Sequence, residues 1–362
     1  MRRPVRVALW TIAAVIVWAI VGVAPNGVFI VAAAAQPSGA DETAAPAIQD
    51  GPGFADWLAE FKRDAIADGI SPAIVEEAFT DVAPVPRIVE RDRNQAEFVL
   101  TFDTYLSRVV TPTNVAVGRK KMAEHRELLR AVGEKYGVQP RFIVAIWGIE
   151  TRYGAVKPTM PVIPALATLA WDRRRSKFFR NELMQALHML DKGYADLDKL
   201  NGSWAGAMGQ PQFIPSSYMN FAQDWDGDGK RDIWDNPGDV FASIANYLAR
   251  HGWSDDQTWG REVKVPEDFS SRLALMSRTK KSGCRAIDGM SMSRGLNEWQ
   301  SMGVRRADGR DLPTRDLPGS LVQADGETGP VFMVYKNYHA ILRYNCAHFY
   351  GLTVGTLSDR LR

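Results

Sequence analysis

Phe142-Ile-Val-Ala-Ile-Trp-Gly-Ile-Glu150-Thr-Arg-Tyr-Gly154 is the stretch on which the reading of this chain turns. Gln139 and Pro140 before it suit a helix cap and first helical position. Phe142, Ile143, Ile146, Trp147 and Ile149 are too apolar for a solvated helix face. At helical spacing Ile143, Ile146, Trp147 and Glu150 share a face, so a carboxylate continues an apolar stripe. Burial without a cation raises a carboxyl pKa, because the charged form loses its hydration. A protonated Glu against a Trp then acts as a general acid near neutral pH. The competing reading of the same spacing is a structural ion pair between Glu150 and Arg152 or another cation.

Downstream, Gly202-Ser-Trp-Ala-Gly-Ala-Met-Gly-Gln-Pro-Gln-Phe-Ile-Pro-Ser216 mixes small residues with amides and aromatics. Glycine lets a main chain approach a ligand where a side chain would block it. Ser203, Gln210 and Gln212 offer the hydroxyl and amides that orient sugars, and Trp204 and Phe213 offer rings that stack on them. A Gly-rich turn with core aromatics fits the same residues.

Further on, Asp224-Trp-Asp226-Gly-Asp228-Gly-Lys230-Arg-Asp232-Ile-Trp-Asp235 has the spacing of an EF-hand calcium loop, with oxygen side chains and a Gly at the sharp turn. Asp235 stands at the twelfth position, where Glu normally supplies a bidentate carboxylate. Five acids in twelve residues repel one another without a cation. Calcium here reads as a structural staple, with a solvated acidic loop as the alternative. The five histidines show no ligand spacing, and no Gly-x-Ser-x-Gly elbow supports a serine triad.

Taken together, Trp147-Gly-Ile-Glu150-Thr-Arg-Tyr-Gly154, the Gly202–Gly209 run with Gln212-Phe-Ile-Pro215, and the acidic loop resemble the membrane-bound lytic transglycosylase B family, glycoside hydrolase family 103. The resemblance covers the chain from about Phe54 to its C-terminus. It implies an α+β, mainly helical fold: a lysozyme-like core, a helical subdomain, a small mixed lobe and an EF-hand-like calcium loop. It implies Glu150 as the single catalytic acid/base, with Ser203 and Gln212 as polar sugar contacts. Tyr105, Phe213, Tyr247, Tyr344 and Asn345 match aromatic and polar positions lining the family's cleft. Asp224, Asp226, Asp228, Lys230 through its carbonyl, and Asp235 match its calcium ligands. Gln210-Pro211 departs from the Tyr-Gly common in relatives, and Cys346 departs from the residue after Asn345.

The implied activity is cleavage of the β-1,4 bond between N-acetylmuramic acid and N-acetylglucosamine in peptidoglycan, leaving 1,6-anhydromuramic ends. It suits the carboxylate count. Ordinary glycosidases use two carboxylates, and these motifs offer one. Two alternatives stay open: a water-using muramidase with a second acid such as Asp172 or Asp196, and a calcium-stabilised peptidoglycan-binding protein without turnover. The expected partners are glycan strands and, among proteins, those of cell-wall synthesis or remodelling; no organic cofactor is expected.

The 362 residues are 46% hydrophobic and 24% charged, an ordinary globular composition long enough for two or three subdomains. Arg2, Arg3 and Arg6 precede an apolar run from Val7 to about Val23 and the small residues Ala32 to Ala35. Basic, apolar, then small residues make a signal peptide over 1–35, with an uncleaved signal anchor as the rival reading. The expected location is the periplasm. Residues 36–53 read as a flexible leader and 54–362 as the catalytic region. Removing three arginines and no acid takes the formal charge from +2 to −1, and no basic tract suited to nucleic acid appears. In an oxidising compartment Cys284 and Cys346 are able to form one disulfide, which the sequence alone does not decide.

Periodicity and caps predict two short helices between Phe54 and Asp81, with Gly69 as a stop and Ser71-Pro72 as a cap and first position. Ala83 to Pro86 reads as a rigid linker. Further helices are expected over about Asn94–Val110, Thr113–Tyr136 ending at Gly137, and Ser176–Asp191, with a Pro-containing connector through Pro158, Pro161 and Pro164. From about 253 to 343 the texture shifts to a mixed lobe with strands at Val263-Lys-Val265 and Val331–Tyr335, followed by a last helix from about Cys346 to Leu361.

Overall fold

In a computed structural model the structure describes residues 53–93, 101–267, 269, 283–325 and 329–362. The signal-peptide and leader readings, and the expected helix start at Asn94, lie outside these residues.

Three hydrophobic cores organise the described chain. The first gathers the helix Pro140–Thr151 with Arg126–Tyr136, Pro237–Arg250, Lys336–Tyr344 and His348–Arg360. The second joins Phe54–Ala67 and Pro72–Ala78 to Val162–Trp171, Ser176–Asp191 and Pro215–Phe221. The third belongs to an antiparallel sheet formed by β3 (Gly260–Lys264), β4 (Arg294–Gly295), β5 (Arg305–Arg306), β6 (Pro318–Gln323) and β7 (Val331–Val334), in the order β4-β6-β7-β3-β5. A short ribbon of β1 (Met160–Pro161) and β2 (Asn201–Gly202) ties the start of the Val162 helix to the Gly-rich loop.

Much of the helical reading holds. Gly69 lies at φ 98°, the Ser71 hydroxyl accepts from Ile74 N at 3.4 Å, Gly137 ends its helix at φ 66°, and Ser176–Asp191 is helical as read. Other expectations are corrected. The helix expected over Thr113–Tyr136 is two, Pro112–Glu124 and Arg126–Tyr136, broken at His125, whose backbone (φ −108°, ψ 25°) leaves the helical region. Pro164 sits inside the helix Val162–Trp171 and Pro86 opens the helix Pro86–Arg93, because a first-turn residue has no intrahelical acceptor for its N–H. The aromatic stretch before Val110 is helical over Phe102–Val109. The mixed lobe ends earlier than read: Lys336–Tyr344 is a helix of the first core, and the last helix starts at His348.

Cys284 and Cys346 form a disulfide with Cα atoms 5.7 Å apart. It pins the segment after Tyr344 to the lobe across 62 residues, a loop length at which cross-linking stabilises by about 4 kcal/mol on the chain-entropy model.

Candidate active site

Glu150 lies in the last turn of the helix Pro140–Thr151 and is 3% exposed. Gln139 occupies the cap position, yet its side chain does not cap: its amide bonds Trp253 Nε1 at 3.0 Å and Gln257 O at 3.2 Å. The helix is therefore anchored through tertiary contacts. Ile143, Ile146 and Trp147 are buried with Glu150, as the stripe required. Burying such side chains stabilises by roughly 1.5–3 kcal/mol each, which outweighs a neutral, hydrogen-bonded carboxyl among them.

The helix stops sharply. Arg152 (φ 51°), Tyr153 (φ 60°) and Gly154 (φ 78°) are all left-handed, and Arg152 N and Tyr153 N bond back to Gly148 O at 3.0 Å and Trp147 O at 3.3 Å. Non-glycine residues in this region carry strain of about 1–3 kcal/mol each. Gly148 permits the turn, since a Cβ there would lie 2.4 Å from the Tyr153 ring.

The ion-pair reading of Glu150 fails. Arg152 is exposed, and Glu150 has no ion pair among the described residues. Among the described residues its one hydrogen-bond partner is the Tyr350 hydroxyl, which donates to Oε1 at 2.7 Å. Burial pushes the carboxyl up to about 8, opposed in part by that bond. The carbonyl end of the helix also disfavours a negative charge there. No second carboxylate contributes to the shift. Asp172 pairs with Arg93 at 2.9 Å and Asp196 with Lys230 at 3.2 Å.

Three tyrosines feel the Glu150 charge. Tyr105 is pushed up to about 12 by burial and then by Glu150, and Tyr344 and Tyr350 rise for the same two reasons in the same order. Tyr350 stacks on Tyr344 (centroids 6.4 Å), Tyr344 meets Tyr247 (4.7 Å), and Phe213 contacts both (5.7 and 5.6 Å). Tyr344 donates to Pro211 O at 2.7 Å and Tyr247 to Arg343 O at 2.6 Å. Tyr105, Tyr344 and Tyr350 therefore gather around Glu150, and Phe213 and Tyr247 join them through Tyr344. Phe213 is 2% exposed and packs against tyrosines, so it supports the wall from behind. Asn345 keeps a buried Oδ1 without a hydrogen-bond partner.

The Gly-rich loop divides its amides between tasks. Gln210 is fully engaged within the protein: Oε1 accepts from Trp147 Nε1 at 2.6 Å, Nε2 donates to Trp234 O at 2.6 Å, and its carbonyl accepts from Thr151 Oγ1 at 3.0 Å. It ties the Glu150 helix to the acidic segment, so the sugar contact read for it is withdrawn. Gln212, at φ 53° and 6% exposed, donates Nε2 to Gly209 O at 2.8 Å. The Ser203 hydroxyl accepts from Ala205 N and Ala207 N at 3.3 and 3.1 Å. Trp204 packs beside the second core.

In the acidic loop, Asp224 accepts from Gly227 N and Gly229 N at 2.7 and 2.9 Å, and Asp228 from Lys230 N at 2.8 Å. Oxygens of Asp224, Asp226 and Asp239 lie within 4.8 Å of one another, a donor set that fits a hard cation. Asp235 stands apart, exposed and paired with Lys157 at 2.9 Å. Asp239 is fully buried and is pushed up to about 6 by burial, with Asp226 and Asp224 adding to the rise. Sequence reading missed Asp239 and Tyr350. The first carried a usable signal, an acid directly before the largely apolar run Val240-Phe-Ala-Ser-Ile244; the second carried none.

A buried glutamic acid at a helix end, beside tyrosines and braced by a Gly-rich loop, is an arrangement suited to general-acid chemistry, on a lysozyme-like, mostly helical fold. Residues 53–359 match the family model described as transglycosylase SLT domain, and the chain belongs to that family. It is 33% identical over 262 residues to the membrane-bound lytic murein transglycosylase B of Escherichia coli, covering 70% of this chain and 66% of that protein, just under two thirds of its length. SltB3 of Pseudomonas aeruginosa, solved with NAG-anhNAM-pentapeptide and with NAG-NAM-pentapeptide, superposes with a TM-score of 0.78 at 41% identity, over 85% of this chain and 79% of that one. Slt35 of Escherichia coli, solved with calcium, gives 0.70 at 27% identity, over 87% and 96%. No helix of the described residues is long and apolar enough to cross a membrane.

Proposed function

We propose that this chain is a peptidoglycan lytic transglycosylase that cleaves between N-acetylmuramic acid and N-acetylglucosamine without water. The carrying observation is that Glu150 stands alone: buried, raised to about 8, with Tyr350 as its one partner and no second carboxylate acting on it. Hydrolysis by the usual routes needs a second carboxylate beside the scissile bond. Here one group serves twice. Protonated Glu150 gives its proton to the glycosidic oxygen as the bond from that oxygen to the muramic acid C1 breaks. The resulting carboxylate then takes the proton of the C6 hydroxyl as its oxygen bonds C1, closing the 1,6-anhydro ring. No water is consumed, and Glu150 ends as it began.

Tyr105, Tyr247, Tyr344, Ser203, Gln212 and Asn345 orient the sugars, with Phe213 holding the tyrosines in place. The complexes of SltB3 with NAG-anhNAM-pentapeptide and NAG-NAM-pentapeptide support this substrate class. Asp224, Asp226 and Asp239, with Asp228 and the Lys230 carbonyl, hold a structural calcium, supported by their mutual distances and by the calcium complex of Slt35. Residues 1–35 export the chain to the periplasm, and residues 36–53 link them to the catalytic region 54–362.

Digestion of purified sacculi by residues 36–362, read by mass spectrometry, tests the reading. Muropeptides lighter by one water and lacking a reducible end are expected. Reducing ends would mean hydrolysis, and binding without fragments would mean a glycan-binding protein.

A further inference from the structure

The backbone N–H and carbonyl of Gln210 and both polar atoms of its side chain have partners, and these fall on two sides. On one side lies the last turn of the Glu150 helix. Oε1 accepts from Trp147 Nε1 at 2.6 Å, and the backbone carbonyl accepts from Thr151 Oγ1 at 3.0 Å. Trp147 stands three residues before Glu150 on the same helix face and Thr151 directly after it, so both bonds grip the turn that carries the carboxyl. On the other side lies the acidic segment. Gln210 N donates to Ile233 O at 2.8 Å and Nε2 to Trp234 O at 2.6 Å.

The contact is close on both sides. A Cβ at Gly154 would lie 2.5 Å from Gln210 Oε1, and one at Gly209 would lie 2.6 Å from Ile233 O. Pro211, the next residue, accepts from the Tyr344 hydroxyl at 2.7 Å, so the same two-residue step also holds the tyrosine wall. From Gln210 the bonds continue to the oxygen cluster of the acidic loop. Asp239 accepts from Asp232 N at 2.6 Å and from Trp225 N at 2.7 Å, and Asp232 directly precedes the two carbonyls that Gln210 holds. A cation held by Asp224, Asp226 and Asp239 thus fixes a backbone segment that lies two hydrogen bonds from Trp147. Without it the carboxylates repel one another and the segment loosens.

We propose that Gln210 is a positioning residue that passes cation binding in the acidic loop to Glu150. This rests on the calcium reading given above. Gln210 grips the helix and not the sugars, so it governs where Glu150 places its proton and leaves glycan affinity alone. A contiguous chain of hydrogen bonds of this kind couples two sites when both bias the same element, here the last turn of the helix.

The test follows calcium by titration calorimetry and Trp147 by the magnetic resonance signal of its indole N–H, assigned by its loss in Trp147→Phe. In the unaltered protein that signal should shift as calcium binds, with the midpoint seen by calorimetry. Gln210→Leu keeps both backbone bonds and loses both side-chain bonds. It should bind calcium within about fivefold of the unaltered affinity, while the Trp147 signal no longer responds. On soluble glycan strands its kcat should fall about tenfold with KM unchanged, and calcium should cease to raise kcat. Trp147→Phe cuts the same link from the helix side and should likewise make kcat indifferent to calcium, which keeps the test decisive if Gln210→Leu does not fold. A Trp147 signal indifferent to calcium in the unaltered protein, or one that still follows calcium in Gln210→Leu, overturns the proposal. So does a kcat that still rises with calcium in Trp147→Phe. A larger loss of calcium affinity in Gln210→Leu also overturns it, by making Gln210 a support of the loop alone. No calcium uptake at all refutes the calcium reading itself, and the proposal with it.

Discussion

The Glu150 niche and the Asp224–Asp239 loop both raise a carboxyl, by different physics. Glu150 is raised chiefly by burial, with one phenol opposing the shift and no acidic neighbour adding to it, while Asp239 is raised by burial and additionally by two acidic neighbours. The first arrangement keeps a proton on a single group and needs no cation. The second gathers charges that a cation relieves. The same carboxyl group is thus suited to proton donation in one place and to holding a cation in the other, according to what surrounds it.

Glu150→Gln breaks the first arrangement with the largest expected effect. Release of muropeptides from sacculi should fall by at least 10²–10⁴-fold, with glycan binding retained; near-normal turnover would remove Glu150 from its role.

The pH dependence sharpens the contrast. A carboxyl raised from 4.5 to about 8 on folding holds its proton more tightly in the folded state. Stability from this group is fully present below the unfolded pKa and declines as pH rises from 4.5 through about 8. Activity, which needs the protonated form, should fall above about pH 8. Glu150→Gln should lose that component while keeping those of other groups such as Asp239, so parallel curves for both proteins in denaturant melts would contradict the assignment.

Tyr350→Phe removes the one bond favouring the charged form, so the alkaline limb of the rate profile should move upward. Turnover should drop about tenfold through looser positioning of Glu150. A limb that moves down, or does not move, would show that Tyr350 acts otherwise.

In the acidic loop, chelation should lower the melting temperature by several degrees, and Asp239→Asn should abolish that response. Asp235→Ala should leave the chelator response and the melting temperature nearly unchanged, as its ion pair with Lys157 is exposed to solvent. A chelator response lost with Asp235 and kept with Asp239→Asn would restore the twelfth-position ligand.

The sequence by itself determined much of this protein. The apolar stripe ending on Glu150, the caps at Ser71 and Gly137, the acidic loop and the family motifs were all legible, because local spacing and turn chemistry dictate them. Tertiary structure decided the rest. Whether Arg152 reached Glu150 depended on a left-handed turn that sends it to solvent. Tyr350 bonds a carboxylate 200 residues away, Gln210 bridges to Trp147 and Trp234, and Asp239 replaces Asp235 in the oxygen cluster. These are long-range pairings between side chains whose own neighbourhoods in sequence carry no trace of the partner, and only packing brings them within a hydrogen bond's length.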